Sequence, residues 1–280
     1  MHPFRSVLYL PGSKARVLEK ARDLPADALI FDLEDAVAPD EKVNARALVA
    51  DTLAQGGFGN RKLIIRINGE NTPWGLEDAQ MAIKAAPDGI LLPKVESPEI
   101  IKTLAKSITN NRTKIWAMME TPLGVINAPA IASSDPKLKG FVLGTNDLAK
   151  DLRSTTRAAL IPAVSQVLLA ARAFGVICVD GVFNAFKDEE GLRTECLEGL
   201  SLGMDGKTLI HPAQLAIANE IFSPDPAAID LAHRQVNAFD EAISKGEAVA
   251  VVDGKIVENL HVETAKRLIA LDEAIKAMSK

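Results

Sequence analysis

The sequence predicts an α/β protein, a parallel barrel of eight strands with helices between them, and three observations carry that prediction. Eight short runs rich in apolar and β-branched residues recur between residues 6 and 210. Segments with apolar residues at three- and four-residue spacing lie between the runs, which is the period of a helix buried on one face. Strands alternating with helices imply right-handed crossovers and a parallel sheet, and eight such units close on themselves. The expected architecture is a (β/α)8 TIM barrel.

Taken in order, the strands are read at 6–10, 28–31, 62–67, 89–92, 114–119, 140–143, 176–179 and 204–210. The first is stopped by Pro11-Gly12, a turn pair. Helices are read at 14–22, 41–54, 73–86, 98–109, 157–174, 190–202 and 212–222, three of them opened by Pro73, Pro98 and Pro212, which suit a first helical turn. The segment after the fifth strand, 123–133, is rich in Pro, Ala and Ser and reads as a weak helix. Ser223-Pro224-Asp225-Pro226 ends the repeat, so residues 1–223 are expected to form the barrel and residues 224–280 an appendage. Within the appendage, 227–244 is amphipathic, 248–252 and 255–257 flank Asp253-Gly254 as a hairpin, and 262–278 is a last helix. This helix–hairpin–helix tail is expected to pad the barrel, cover its mouth or reach a neighbouring subunit.

Composition narrows the functional classes. A net charge of −5, with 48% hydrophobic and 25% charged residues, gives no electrostatic footprint for nucleic acid. Two cysteines are too few for a disulfide framework, and Cys178 and Cys196 fall in strand-like and helix-like runs, so reduced packing thiols and a cytoplasmic location are expected. The N-terminal apolar run of five residues is too short for a signal sequence. The longest charge-free stretch, 158–171, contains Pro162 and falls short of a membrane span, so no membrane role is expected.

Ligands of parallel barrels sit at the C-terminal ends of the strands. Those ends carry Pro11-Gly12-Ser13, Asp32-Leu33-Glu34-Asp35, Arg66-Ile67-Asn68, Pro93-Lys94-Val95-Glu96, Glu120, Asn146-Asp147, Asp180-Gly181 and His211-Pro212. Each has an ordinary structural use: Asp32 or Asp35 as a helix cap, Lys94 with Glu96 as an ion pair, His211 as a hydrogen-bonded histidine. A whole rim of them points to a site. Glu120 and Asp147, on adjacent strands, suit a metal or proton transfer, and two carboxylates suit Mg²⁺, which completes its shell with water and substrate oxygens. Four histidines without a Cys/His cluster leave no zinc constellation, and neither a P-loop nor G-x-G-x-x-G is present. Magnesium beside an arginine fits chemistry on a 2-oxo or hydroxy acid, in which charge develops on oxygen.

Seven runs carry a resemblance: Arg5-Ser6-Val7-Leu8-Tyr9-Leu10-Pro11-Gly12, Asp32-Leu33-Glu34-Asp35-Ala36-Val37, Arg66-Ile67-Asn68, Leu92-Pro93-Lys94-Val95-Glu96, Met119-Glu120-Thr121-Pro122-Leu123-Gly124, Gly144-Thr145-Asn146-Asp147-Leu148 and Gly206-Lys207-Thr208-Leu209-Ile210-His211-Pro212. In this order the chain resembles the citrate lyase beta-subunit (CitE-like) family of the HpcH/HpaI aldolase superfamily, which includes malyl-CoA and citramalyl-CoA lyases. The resemblance implies a Mg²⁺-dependent carbon–carbon lyase that cleaves a 3-hydroxyacyl thioester, on CoA or an acyl carrier protein, into a 2-oxo acid and an acetyl thioester. It implies that Glu120 and Asp147 hold the metal, that Arg66 binds substrate and stabilises the enolate, and that Glu34 and Asp35 position the metal waters and Arg66.

In CoA-dependent relatives the tail carries an aspartate that serves a neighbouring subunit's site, and here the corresponding residue is Glu258 in Gly254-Lys255-Ile256-Val257-Glu258-Asn259-Leu260-His261. The carboxyl group survives with one extra methylene. A tail of this kind requires a homo-oligomer, with a trimer favoured by the resemblance. Ser13, Lys14 and Arg16, at the start of the first helix, are candidates for meeting the phosphates of the CoA arm. Three outcomes stay open at the level of sequence: a CoA-thioester lyase acting on a malyl, citramalyl or citryl group, a hydroxyacyl-CoA thioesterase in which Glu258 activates water, and a citrate lyase beta subunit that works only with partner subunits.

Overall fold

The structure, a computed structural model, describes residues 1–278. Eight strands close a parallel barrel in chain order: β1 (Ser6–Pro11), β2 (Ala28–Asp32), β3 (Lys62–Arg66), β4 (Gly89–Leu92), β5 (Lys114–Met119), β6 (Leu138–Leu143), β7 (Ile177–Asp180) and β8 (Gly206–Leu209). β8 pairs with β1 through Val7↔Thr208 and so leaves no open edge. Because strand side chains alternate, every second residue faces the barrel axis. That interior holds Val7, Ala28, Ile30, Ile64, Leu91, Trp116, Met118, Val142 and Val179, all buried. Trp116 is the largest of these. It fits because residue 140 is glycine: a Cβ there would lie 2.0 Å from the indole ring. The register slip between Ile115 and Trp116 that starts β6 at Leu138, two residues before the expected position, falls beside this contact.

The barrel's helices are α1 (Ala15–Lys20), α2 (Lys42–Gln55), α3 (Gly75–Ala85), α4 (Pro98–Ser107), α5 (Pro122–Ile126), α6 (Ala128–Ala132), α7 (Thr145–Leu152), α8 (Ile161–Phe174), α9 (Glu189–Leu202) and α10 (Leu215–Ile221). The weak segment after β5 becomes two one-turn helices, with Pro129 in the first turn of the second. α7 is a helix that sequence reading did not assign, and it begins directly at the end of β6. The segment 157–174 is apolar and long enough by composition to cross a membrane, with a mean hydropathy of 1.3. In the fold it is a short 3₁₀ turn followed by α8, the crossover from β6 to β7, with Val164, Val167 and Ala171 buried. Cys178 and Cys196 are free and buried, and burial raises both thiols, Cys196 to about 11.

The chain divides into two compact units, one from Phe4 to Asn219 and one made of residues 1–3 with the chain from Glu220 onward. In the second unit α11 (Pro226–Ser244) is capped by Asp225, whose Oδ1 accepts the Ala227 N–H at 2.7 Å. A hairpin, β9 (Ala250–Val252) and β10 (Lys255–Val257), turns on Asp253-Gly254, both at positive φ as a two-residue hairpin turn requires. α12 (Asn259–Met278) then packs along α11. Ala242, Ala250, Val257 and Val262 form a small core of its own.

Candidate active site

Strand parity places the site. Val7 faces inward on β1, so Tyr9 does too; Ala28 and Ile30 on β2 lead to Asp32; Ile64 on β3 leads to Arg66; Trp116 and Met118 on β5 lead to Glu120. Asp32 and Arg66 are register partners on neighbouring strands. Arg66 donates Nε to Asp32 Oδ1 at 2.7 Å and Nη2 to Oδ2 at 2.6 Å, a bidentate grip. Its Nη1 reaches Asp35 Oδ2 at 3.3 Å and lies 2.9 Å from Glu34 Oε2, close but not aligned as a hydrogen bond. The Tyr9 ring covers the guanidinium from 4.9 Å. Burial works against the charge on Arg66, but Asp32, Tyr9 and Glu34 outweigh it and hold the group cationic. Asp32 also accepts the N–H groups of Glu34 and Ala36, at 2.9 and 3.0 Å, and so fixes the loop that carries the other two acids.

Glu120 is 2% exposed and follows β5 directly. Thr121 caps α5 by accepting the Gly124 N–H, which ends the strand at that point. The Glu120 Oε1 accepts the Lys94 N–H at 2.7 Å. Its Oε2 lies against Gly144, where a Cβ would come within 2.5 Å of it. Burial, reinforced by Glu34, pushes the Glu120 carboxyl up to about 7 although the Lys94 N–H and the charges of Arg66 and Lys94 pull it down. Asp147 sits in the first turn of α7, and Asn146 beside it exchanges hydrogen bonds with Asn184 at 2.8 and 3.3 Å. Tyr9, Arg66, Glu120, Asp147, Thr208 and Ile210 line one cavity of about 290 Å³.

Five carboxylates, Asp32, Glu34, Asp35, Glu120 and Asp147, meet two cations, Arg66 and Lys94, in this region. Glu120 keeps an oxygen on the cavity side without a hydrogen-bond donor, and Glu34 Oε2 is buried without one. Both features fit a cation of oxygen preference held by Glu120 and Asp147. Among the described residues no three or more His, Cys, Asp or Glu side chains are placed to hold one metal ion, so the remaining positions of such an ion fall to water and substrate oxygens, as Mg²⁺ accepts.

The structure brings Glu34, Asp35, Arg66, Glu120 and Asp147 together and leaves other candidates elsewhere. Ser13, Lys14 and Arg16 do not line the cavity, and Lys14 pairs with Glu41 at 3.6 Å. Glu258 belongs to the second unit, exposed at the start of α12, where its N–H donates to His261 Nδ1 at 3.1 Å. Asp180, expected at the mouth, points out of the barrel wall into a buried ionic cluster with Arg157 at 2.8 Å and Lys207 at 3.0 Å. Lys94 pairs with Glu34 at 3.3 Å, not with Glu96. His211 stacks on Phe186 and accepts the Ala213 N–H, away from the cavity. Sequence reading left out Tyr9, whose parity with Val7 was a usable signal, and Asp32, which appeared in the rim but without its role as the main anchor of Arg66.

A family model described as HpcH/HpaI aldolase/citrate lyase matches residues 5–212. A (3S)-malyl-CoA thioesterase of Cereibacter sphaeroides is 56% identical over 279 residues, covering 99% of this chain and 97% of its own length. A citrate lyase subunit beta of Leuconostoc mesenteroides subsp. cremoris is 34% identical, covering 96% of this chain and 93% of its own. The crystal structure of protein CitE from Mycobacterium tuberculosis in complex with magnesium, acetoacetate and coenzyme A covers 97% of this chain and 98% of its own, with a TM-score of 0.77 and 28% identity.

Proposed function

The chain belongs to the HpcH/HpaI aldolase/citrate lyase family, whose members include carbon–carbon lyases and a malyl-CoA thioesterase, and from that premise we propose that it takes (3S)-malyl-CoA, or a close 3-hydroxyacyl-CoA, with Mg²⁺ and hydrolyses the thioester to the free hydroxy acid and CoA. The observation that carries the reading is Arg66. It is a lone guanidinium, 8% exposed, locked by Asp32 and sharing a cavity with Glu120 and Asp147, neither of which it grips as an ion pair.

Glu120 and Asp147 would hold the ion, which when bound supplies Lewis acidity toward the substrate's oxygens and offsets the acid cluster. Arg66 faces the oxygen on which charge develops, and its fixed orientation means that no reorganisation is needed when that charge appears. In hydrolysis that oxygen is the thioester carbonyl: hydroxide from water adds to carbon, the carbon–sulfur bond breaks, and the proton leaves with the thiol. Glu258, supplied by a neighbouring copy in a homo-oligomer, takes the proton from the water. The longer side chain at that position places the carboxyl about 1 Å from where an aspartate would, a shift that a mobile water follows and a carbon-bound proton does not. The relative that is 56% identical over nearly the whole chain, tail included, supports this outcome.

Carbon–carbon cleavage is a second reading, favoured by the lyase character of the family and by Arg66, which serves a thioester enolate as well as a tetrahedral oxyanion. Product analysis separates the two. Malyl-CoA incubated with and without Mg²⁺ should give malate and free thiol only with the metal. Glyoxylate and acetyl-CoA would establish the lyase reading instead, and intact substrate in the presence of Mg²⁺ would sink both.

A further inference from the structure

Lys94, in the loop between β4 and α4, has φ of +47°, a left-handed conformation that strains a residue with a Cβ. Of the three other non-glycine residues with positive φ, Ala86 and Arg153 close helices and Asp253 sits in the hairpin turn. Lys94 does neither. Its conformation aims the N–H at Glu120 Oε1, 2.7 Å away. Any residue donates that N–H, and glycine would do so without strain, so the backbone contact accounts for the conformation but not for a lysine.

The side chain accounts for it. The Lys94 ammonium reaches Glu34 Oε1 at 3.3 Å, while Glu34 Oε2 lies 2.9 Å from Arg66 Nη1. Glu34 is therefore suspended between two cations, and one residue ties it to Glu120. Strain retained at a site, where the surroundings over-determine it, points to a use. We infer that Lys94 is a positioning residue whose ammonium holds Glu34 beside Arg66 and so, together with the Asp32 fork, trims the orientation of the guanidinium, while its N–H independently fixes Glu120.

The metal part of this inference rests on the proposed Mg²⁺ site; the Arg66 part does not. The variants are Lys94→Ala, Lys94→Gly, Lys94→Arg, Glu34→Gln and the double variant Lys94→Ala with Glu34→Gln. Calorimetry without substrate reads the Mg²⁺ affinity. Lys94→Ala keeps the N–H and removes a positive charge beside the acids, so Mg²⁺ should bind with unchanged or up to about threefold tighter affinity. A loop that had merely collapsed would bind it more weakly. Turnover of malyl-CoA should fall about tenfold in kcat in both Lys94→Ala and Lys94→Gly, return in Lys94→Arg, and fall no further in the double variant than in Glu34→Gln, because the two residues act as one unit. The Nε–H resonance of Arg66, assigned by its loss in Arg66→Lys, should shift alike in Lys94→Ala and Glu34→Gln, and this reading needs neither metal nor turnover. An unshifted Arg66 resonance, a Lys94→Gly variant with wild-type kcat, additive effects in the double variant, or weaker Mg²⁺ binding in Lys94→Ala would each overturn the inference. A wild-type protein that binds no Mg²⁺ would instead overturn the metal reading, with the Arg66 resonance still testing the Lys94–Glu34 link.

Discussion

A carboxylate stripped of water and given too little positive charge becomes a base near neutral pH, and Glu120 is in that position, raised to about 7 chiefly by burial. The sign follows from proton counting. Between the ordinary carboxylate value and 7 the metal-free fold binds more protons at this group than the unfolded chain does, so this contribution to stability falls as pH rises through that window. A cation must displace the proton. The apparent Mg²⁺ affinity is therefore expected to rise about tenfold per pH unit up to 7 and then level off. Calorimetry from pH 5.5 to 8, in buffers of different ionisation heat, checks both the slope and the released proton, and Glu120→Gln should bind no metal. A flat profile would show that Glu120 is already ionised across this range, and metal binding retained in Glu120→Gln would show that it is not a ligand. At Arg66 the fork to Asp32 is the point at issue, since lysine offers a single charge without the planar pair of donors. Arg66→Lys should lower kcat/KM by about 10² to 10³ with the melting temperature little changed, measured on malyl-CoA under saturating Mg²⁺.

At the scale of elements, the site depends on the glycine that joins β6 to α7. A Cβ at residue 144 would stand 2.3 Å from the Glu120 Cβ, a contact neither side chain can accept. Gly144→Ala should cost about 1–3 kcal/mol of stability and weaken Mg²⁺ binding at least tenfold, read by thermal unfolding with and without the metal. Retained affinity would show that Glu120 can move without loss. The strands were legible because parity does not depend on distant residues: once Trp116 and Met118 face the axis, Glu120 must follow. The same rule explains the error at Asp180, where one step along β7 turns the side chain from the mouth to the wall and into the grip of Lys207. α7 was missed because its first turn, Thr145-Asn146-Asp147, is polar and abuts a strand with no intervening loop, so its helical period is short and late. The Lys94–Glu34 pair spans 60 residues of chain and joins loops after β4 and β2; no local pattern announces such a contact.

At the scale of the molecule, the residues that line the cavity all lie in the unit from Phe4 to Asn219, whereas Glu258 lies in the unit that contains the hairpin. Each unit has its own buried core, and Arg66 and Glu258 fall in different units. This makes the proposal that Glu258 serves a neighbouring copy open to a test of mixed oligomers. Arg66→Lys and Glu258→Gln chains, each nearly inactive alone, are coexpressed with different tags, and the doubly tagged species is isolated. If every site takes Arg66 from one copy and Glu258 from the next around a closed ring, each doubly tagged trimer, whichever chain is in the majority, keeps one of its three sites with both groups intact, and activity should return to about a third of wild type. If both groups come from the same copy, every site in the mixture carries one lesion and no activity returns. The comparison rests on the rate per oligomer rather than on yield, so a fall in expression cannot imitate the negative result. Restored malate formation would establish the shared site, and a dead mixture in an oligomer of confirmed composition would remove Glu258 from the role assigned to it in trans.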